Sequence, residues 1–185
     1  MVTEEEAAAG WREYLAKGDV AGGRGYLAGV VDRDAPPSHP RALVRDDRDA
    51  SVTPLHMQAV GARLLGRYEE SRTLYEESLE LNRARGDARM TAIELHNLAH
   101  VALHLGDVDE AEERLEEWRL LVAASDDPYD LAMQRLNDAA LAIAHGEPGR
   151  ARALLDEAEE RLAAAGIVLD PDDASELHHL RALSG

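Results

Sequence analysis

The sequence predicts an all-α fold, built as a stack of antiparallel helix pairs, and three observations carry that expectation. Ala and Leu dominate an apolar content of 45%, while Phe is absent and aromatic residues make up only 4%. Small and straight-chain residues favour helices, and the β-branched and aromatic residues that strands prefer are scarce. Second, glycine and aspartate recur between apolar-periodic stretches, where helix terminators and N-caps belong. Third, the chain repeats itself every 40 residues at Gly66/Gly106/Gly146, Ala59/Ala99/Ala139, Ala62/Ala102/Ala142 and Glu77/Glu117/Glu157. Tyr75, Leu115 and Leu155 keep a large apolar residue at that period, and Ser71, Ala111 and Ala151 keep a small one. One helix pair cannot bury its apolar face alone, so repeated pairs must stack. With 185 residues the chain suits one domain with its own core.

Taken in order, Thr3 and Glu6 form a capping-box pattern that opens a helix towards Lys17. Gly18 and Asp19 end that helix and cap a second, weak one over 20–31. There Gly22, Gly23, Gly25 and Gly29 each cost about 1 kcal/mol relative to Ala. Residues 3–31 therefore read as a degenerate first pair. The GGRGYLAG cluster has neither a preceding strand nor the Gly-Lys-Ser/Thr ending of a phosphate loop. Residues 32–53, with three prolines, read as an irregular linker containing one short helix near 41–47. Thr53 and Pro54 then supply an N-cap and a first helical position. Helices are expected over 54–65, 68–85, 88–105, 108–124, 128–145 and 148–165, forming pairs 54–85, 88–124 and 128–165. Asp87, Asp107 and Asp127 cap them, and Gly66, Gly86, Gly106, Gly146 and Gly166 end them. A last helix over 171–183 covers the open apolar end of the stack. Asp172 and Asp173 suit its first turn, and Arg181 its last.

The charge balance, 37 Asp+Glu against 20 Lys+Arg, gives a formal net charge of −17. Such a surface repels phosphate backbones, so direct nucleic-acid binding is not expected, whereas a basic partner suits it. The absence of cysteine removes disulfides, thiolate metal sites and cysteine nucleophiles. The N-terminus lacks a signal-peptide pattern and no run of 18 apolar residues occurs, so a cytoplasmic protein without a membrane partner is expected.

The stretch LHNLAHVALHLGDVDEAEERLEEW resembles the tetratricopeptide repeat, with Leu95, Leu98, Ala99 and Ala102 in one helix, Gly106 in the turn, and Ala111 and Leu115 in the next. LGRYEESRTLYEESLELNRARGD matches through Gly66, Ser71 and Tyr75, and HGEPGRARALLDEAEERL through Gly146, Ala151, Leu155 and Ala158. The resemblance implies a right-handed α-solenoid of about three to four pairs plus a C-terminal capping helix. It also implies a non-catalytic role, holding a peptide segment or partner protein in a concave groove. The period of 40 exceeds the family's usual length of about 34. It is similar to the long-repeat arrays of large bacterial ATP-dependent transcriptional regulators, although no P-loop or DNA-binding helix pair is identifiable here. Trp118 departs from the family's small residue and fills a gap or anchors a contact.

In such arrays the first helix of each pair lines the groove. The resemblance therefore places His56, Met57 and Arg63 there from one pair, His96, Asn97, His100 and His104 from the next, and Asn137 from the third. At 100° per residue, the three histidines of the middle helix share an arc of about 80°. Three roles stay open for them: hydrogen-bonded packing, recognition of a peptide or small polar molecule, or a metal site from His56, His96 and His100. No carboxylate is recognisably placed to complete a metal set, and no nucleophile or paired acid suggests catalysis, so no cofactor or catalytic residue is expected. A small-molecule-sensing domain and a homodimer built on an exposed face are the alternatives. Histidines in an open groove would change charge near neutral pH and make binding pH-sensitive.

Overall fold

The computed structural model describes residues 52–185; the expected helices over 3–31 and most of the 32–53 linker lie outside them. Among the described residues the chain is wholly helical. α1 runs Val52–Leu64, α2 Tyr68–Arg85, α3 Ala88–Leu105, α4 Val108–Val122, α5 Pro128–Ala144, α6 Pro148–Ala165 and α7 Pro171–Ser184.

The ends of these helices follow from their punctuation. The Asp87, Asp107 and Asp127 carboxylates accept from the backbone N–H of Met90, Glu110 and Tyr129, satisfying a donor that the first turn leaves open. At Gly106 (φ 83°) the chain turns left-handed: its N–H bonds the Leu103 carbonyl at 3.1 Å and the Asp107 N–H bonds the Ala102 carbonyl at 2.9 Å. That paired bonding is the Schellman stop, and it recurs at Gly66, Gly86, Gly146 and Gly166. α1 begins at Val52, two residues before the expected start, because Pro54 is tolerated anywhere in a first turn whose N–H groups are unpaired anyway. α4 stops at Val122, two residues short of expectation, and its cap, Ala123, is not left-handed.

The 40-residue period describes the core. Ala59, Ala99, Ala139, Ala111, Ala151 and Ser71 are all fully buried, as are Tyr75, Leu115 and Leu155. The small residues let backbones approach, and the large ones a turn later fill the space beside them. In the first pair the small residue is a serine, whose hydroxyl donates to the Ala59 carbonyl at 2.8 Å and so is buried without penalty. The repeated glutamates lie outside: Glu117 pairs with Arg83, and Glu157 with Arg135, as surface bridges that contribute little each.

Consecutive helices pack closely from α1 to α4 and again from α5 to α6, whereas α4 and α5 stand further apart. Trp118, buried beside that gap, belongs to the main core cluster. α7 packs on α6 and α5 and also reaches α1, so it crosses the inner side of the stack as well as covering its end. No described helix is long and apolar enough to cross a membrane.

A methyl group placed on Gly106 meets no atom within 4 Å, so a substitution there acts through backbone strain alone. Gly106→Ala should lower the unfolding free energy by about 1–2 kcal/mol, and Gly106→Asn by less, in equilibrium denaturation followed by circular dichroism.

Candidate functional site

Of the residues expected to line a groove, His96, His100 and His104 face α7, and Arg63, Asn97 and Asn137 bond beside them. His96, His100 and His104 stand one turn apart on α3, and their ring nitrogens face two carboxylates, Asp173 and Glu176, three residues apart on α7. His96 Nε2 donates to Asp173 Oδ1 at 3.1 Å, and His104 Nε2 to Glu176 Oε2 at 3.0 Å. His100 Nδ1 lies 3.3 Å from Glu176 Oε1, while its Nε2 donates to Asn137 Oδ1 at 2.9 Å. The Tyr129 hydroxyl, from the first turn of α5, donates to the other oxygen of Asp173. Arg63 Nη1 donates to Asn97 Oδ1 at 2.9 Å, and Nη2 lies 3.9 Å from Glu176. These groups form a buried polar layer between α1, α3, α5 and α7, with His100 fully buried and His96, Asn97, Asn137, Arg63, Asp173 and Glu176 nearly so.

A second cluster closes the other end. Glu94 of α3 is fully buried and accepts from His56 Nδ1 at 3.1 Å, from the Ser78 hydroxyl and from Asn82 Nδ2. Met57, the next residue on α1, is half-buried. A row across neighbouring first helices with a strict 40-residue offset does not form. Arg63 meets Asn97, His100 meets Asn137 and His56 meets Glu94, at offsets of 34, 37 and 38 residues. Contacts that slip along the helix by two to six residues are what inclined helices make when ridges pack into grooves.

Burial and charge set the protonation pattern. Burial pushes the His100 imidazole below its ordinary value against the pull of Glu176. Burial would raise both Asp173 and Glu176. Hydrogen bonds and charge from His96, Tyr129 and Arg63 outweigh it and bring Asp173 to about 2. His100, His104 and Arg63 hold Glu176 well below the carboxylate range. Asp172, next to them, goes the other way: burial and the charge of Asp173 raise it. Burial alone would lower Arg63, but Tyr75, Glu176, Asp172 and Asp173 together raise it. Burial pushes the Tyr75 and Tyr129 hydroxyls up.

His56, His96 and His100, the set considered for a metal, are drawn to three different carboxylates. The described residues that converge as ligands are His104, Glu176 and His179, one atom from each lying within 4.8 Å of the others. Tyr68 stacks on the His104 ring at 4.4 Å and 7°, and the His179 ring lies 4.7 Å from it. His178, adjacent in sequence, is exposed. Glu94, Asp172, Asp173, Glu176 and Tyr129 were not among the residues expected at the site. The sequence does carry a signal for two of them: Asp173 and Glu176 share a helix face with Leu180, at i, i+3 and i+7.

Beside the polar layer lies a cavity of about 490 Å³, between α3, the end of α4, the start of α5 and the first turn of α7. His56, His96 and Asn97 line it, together with Trp118, Ile93 and Met133. His100, Arg63 and Asn137, by contrast, are covered.

Residues 51–119 match the family model described as tetratricopeptide repeat. That segment is a tetratricopeptide repeat array. No curated protein matches the sequence. The repeats of this family generally mediate protein–protein interaction and are typically non-catalytic. α1 to α3 and most of α4 lie within the matched tetratricopeptide segment, and α5 and α6 extend the stack beyond it.

Depressed carboxylates stabilise the fold above their unfolded pKa values near 4, and that stability is lost as pH falls through their folded values. For Asp173, at about 2, the contribution is on the order of 2 kcal/mol. His100 adds a loss in the same direction that begins near pH 6.5, and Asp172 opposes it. The denaturation midpoint should therefore fall steadily from pH 7 to pH 3, and Glu176→Gln should flatten the part of that profile below pH 4.5.

Proposed function

We propose that the chain is a non-catalytic binding module that holds a peptide segment or partner protein on the inner face of its helix array. The observation that carries this reading is the 490 Å³ cavity, which brings His56, His96 and Asn97 to one recess beside the buried layer. Imidazole and carboxamide groups both donate and accept, as recognition of a peptide backbone requires. Of the other residues expected in the groove, Arg63 holds Asn97 and Asn137 holds His100, while His104 and Met57 lie outside the recess lining. The net charge of −17 favours a basic segment over an acidic one.

The same cavity favours a second reading, a small-molecule-sensing domain, because its volume falls within the range of about 300–1,000 Å³ typical of ligand pockets. A co-purified small molecule in native mass spectrometry supports that reading. A dimer in the same spectra supports self-association through the array.

The main reading is tested with short labelled peptides of graded net charge, titrated with the full chain in fluorescence anisotropy. Basic peptides should bind most tightly and weaken as salt rises, and His96→Ala with Asn97→Ala should lower affinity at least tenfold. Binding by no peptide, or affinities indifferent to both substitutions, would contradict it.

A further inference from the structure

We infer that the cavity between α3, the α4–α5 connection and α7 is a binding site for an organic cation, an alkyl guanidinium or ammonium group. The cationic end would lie against Asp172, and the apolar body against Trp118, Ile93 and Met133. The inference rests on the binding-module reading and names the chemistry that the recess takes.

The first support is an acceptor without a donor. Asp172 lines the cavity and is only 6% exposed, yet its carboxylate has no hydrogen bond or ion pair with another described side chain. Its one bonding partner is its own backbone N–H. Two cationic groups act on it from nearby: Arg63, whose Nη1 donates to Asn97 while its Nη2 lies 3.9 Å from Glu176 without a hydrogen bond, and His56, whose Nδ1 donates to Glu94. Its neighbour Asp173 carries three interactions with His96, Tyr129 and Arg63, so the two adjacent aspartates differ sharply in how well they are satisfied. A buried carboxylate left unpaired is costly unless it is protonated or meets a cation. The raised Asp172 fits that state.

The second support is independent of any acid. His96 lines the same cavity and is 4% exposed; its Nε2 donates to Asp173, and its Nδ1 is buried with no partner. In the neutral ring that nitrogen is an acceptor, so an unpartnered imidazole nitrogen and a carboxylate bonded only by its own backbone N–H line one recess. Five of the lining residues are aspartates and one is an arginine, which sets the sign of the charge that the recess attracts. The remaining wall is apolar and includes an indole, and aromatic faces attract cations. The volume of 490 Å³ and that wall suit a ligand with a hydrocarbon body rather than a bare metal ion, which needs several converging oxygen or nitrogen ligands at close range.

The test uses the full chain with Trp11→Phe, which leaves Trp118 as the single tryptophan. Butylguanidinium, N-acetyl-arginine methylamide and the neutral butylurea are titrated while Trp118 fluorescence and calorimetric heat are read. At least one cation should shift the Trp118 signal with a submillimolar Kd, and butylurea should bind at least tenfold more weakly. Asp172→Asn should lower cation affinity at least tenfold without lowering the melting temperature, because its carboxylate holds no other side chain. Ile93→Phe, which narrows the recess, leaves every charge in place and adds no tryptophan, should abolish the signal. Tighter binding of the arginine derivative identifies a basic peptide side chain as the source of the cation, and tighter binding of butylguanidinium a free small molecule. Equal affinity for the cations and butylurea, or affinity unchanged in Asp172→Asn, would overturn the inference. Basic peptides that bind through His96 but ignore Asp172→Asn would sink the cation site and leave the peptide groove standing. Cations that bind where no peptide does would have the opposite result.

Discussion

The described structure depends on the layer of carboxylate–imidazole contacts between α3 and α7. Asp173 meets His96, and Glu176 lies between His100 and His104, so one helix face is matched to another group by group. Neither face suits a buried position alone. Three histidines on an inner helix would need donors and acceptors from elsewhere, and two ionised acids in a protein interior would need cations. Removing one partner of such a pair leaves the other buried and uncompensated, at a cost on the order of 3–5 kcal/mol. Geometry, more than net attraction, is what the layer provides: it specifies one register of α7 against the array.

That layer also explains how the stack ends. An array of helix pairs leaves an apolar face open at its last member, and a final helix can cover it by packing on α5 and α6 alone. α7 does so through Leu180, but its other face reaches across to α1 and α3. The consequence is an inner side divided in two. The half around His100 and Asn137 is sealed by the chain's own acids, and the half around His96 and Trp118 keeps a recess.

Most of the fold was legible in the sequence because its determinants are local. Asp107 caps within three residues, Gly106 turns within five, and the Ala99/Ala139 positions repeat at a fixed spacing. The site was legible by half. The α3 histidines stood out because apolar packing positions did not claim them. Their partners did not, because Asp173 sits in the first turn of a helix, where acids ordinarily face solvent and interact with the helix dipole. Nothing within a few residues of Asp173 indicates that His96, 77 residues earlier, will be its neighbour. Glu94 was hidden for a similar reason, since its three donors come from two other helices.

The most direct test of α7 as a helix locked to the inner face is native-state hydrogen exchange on the full chain, with and without Glu176→Gln. In the parent protein the α7 amides should be protected to nearly the same degree as those of α3. The substitution should then raise exchange across α7 far more than across α2 or α4, because it loosens the contact without disturbing the repeat core. Protection of α7 near that of an exposed helix end in the parent, or exchange in α7 unmoved by the substitution, would contradict the account.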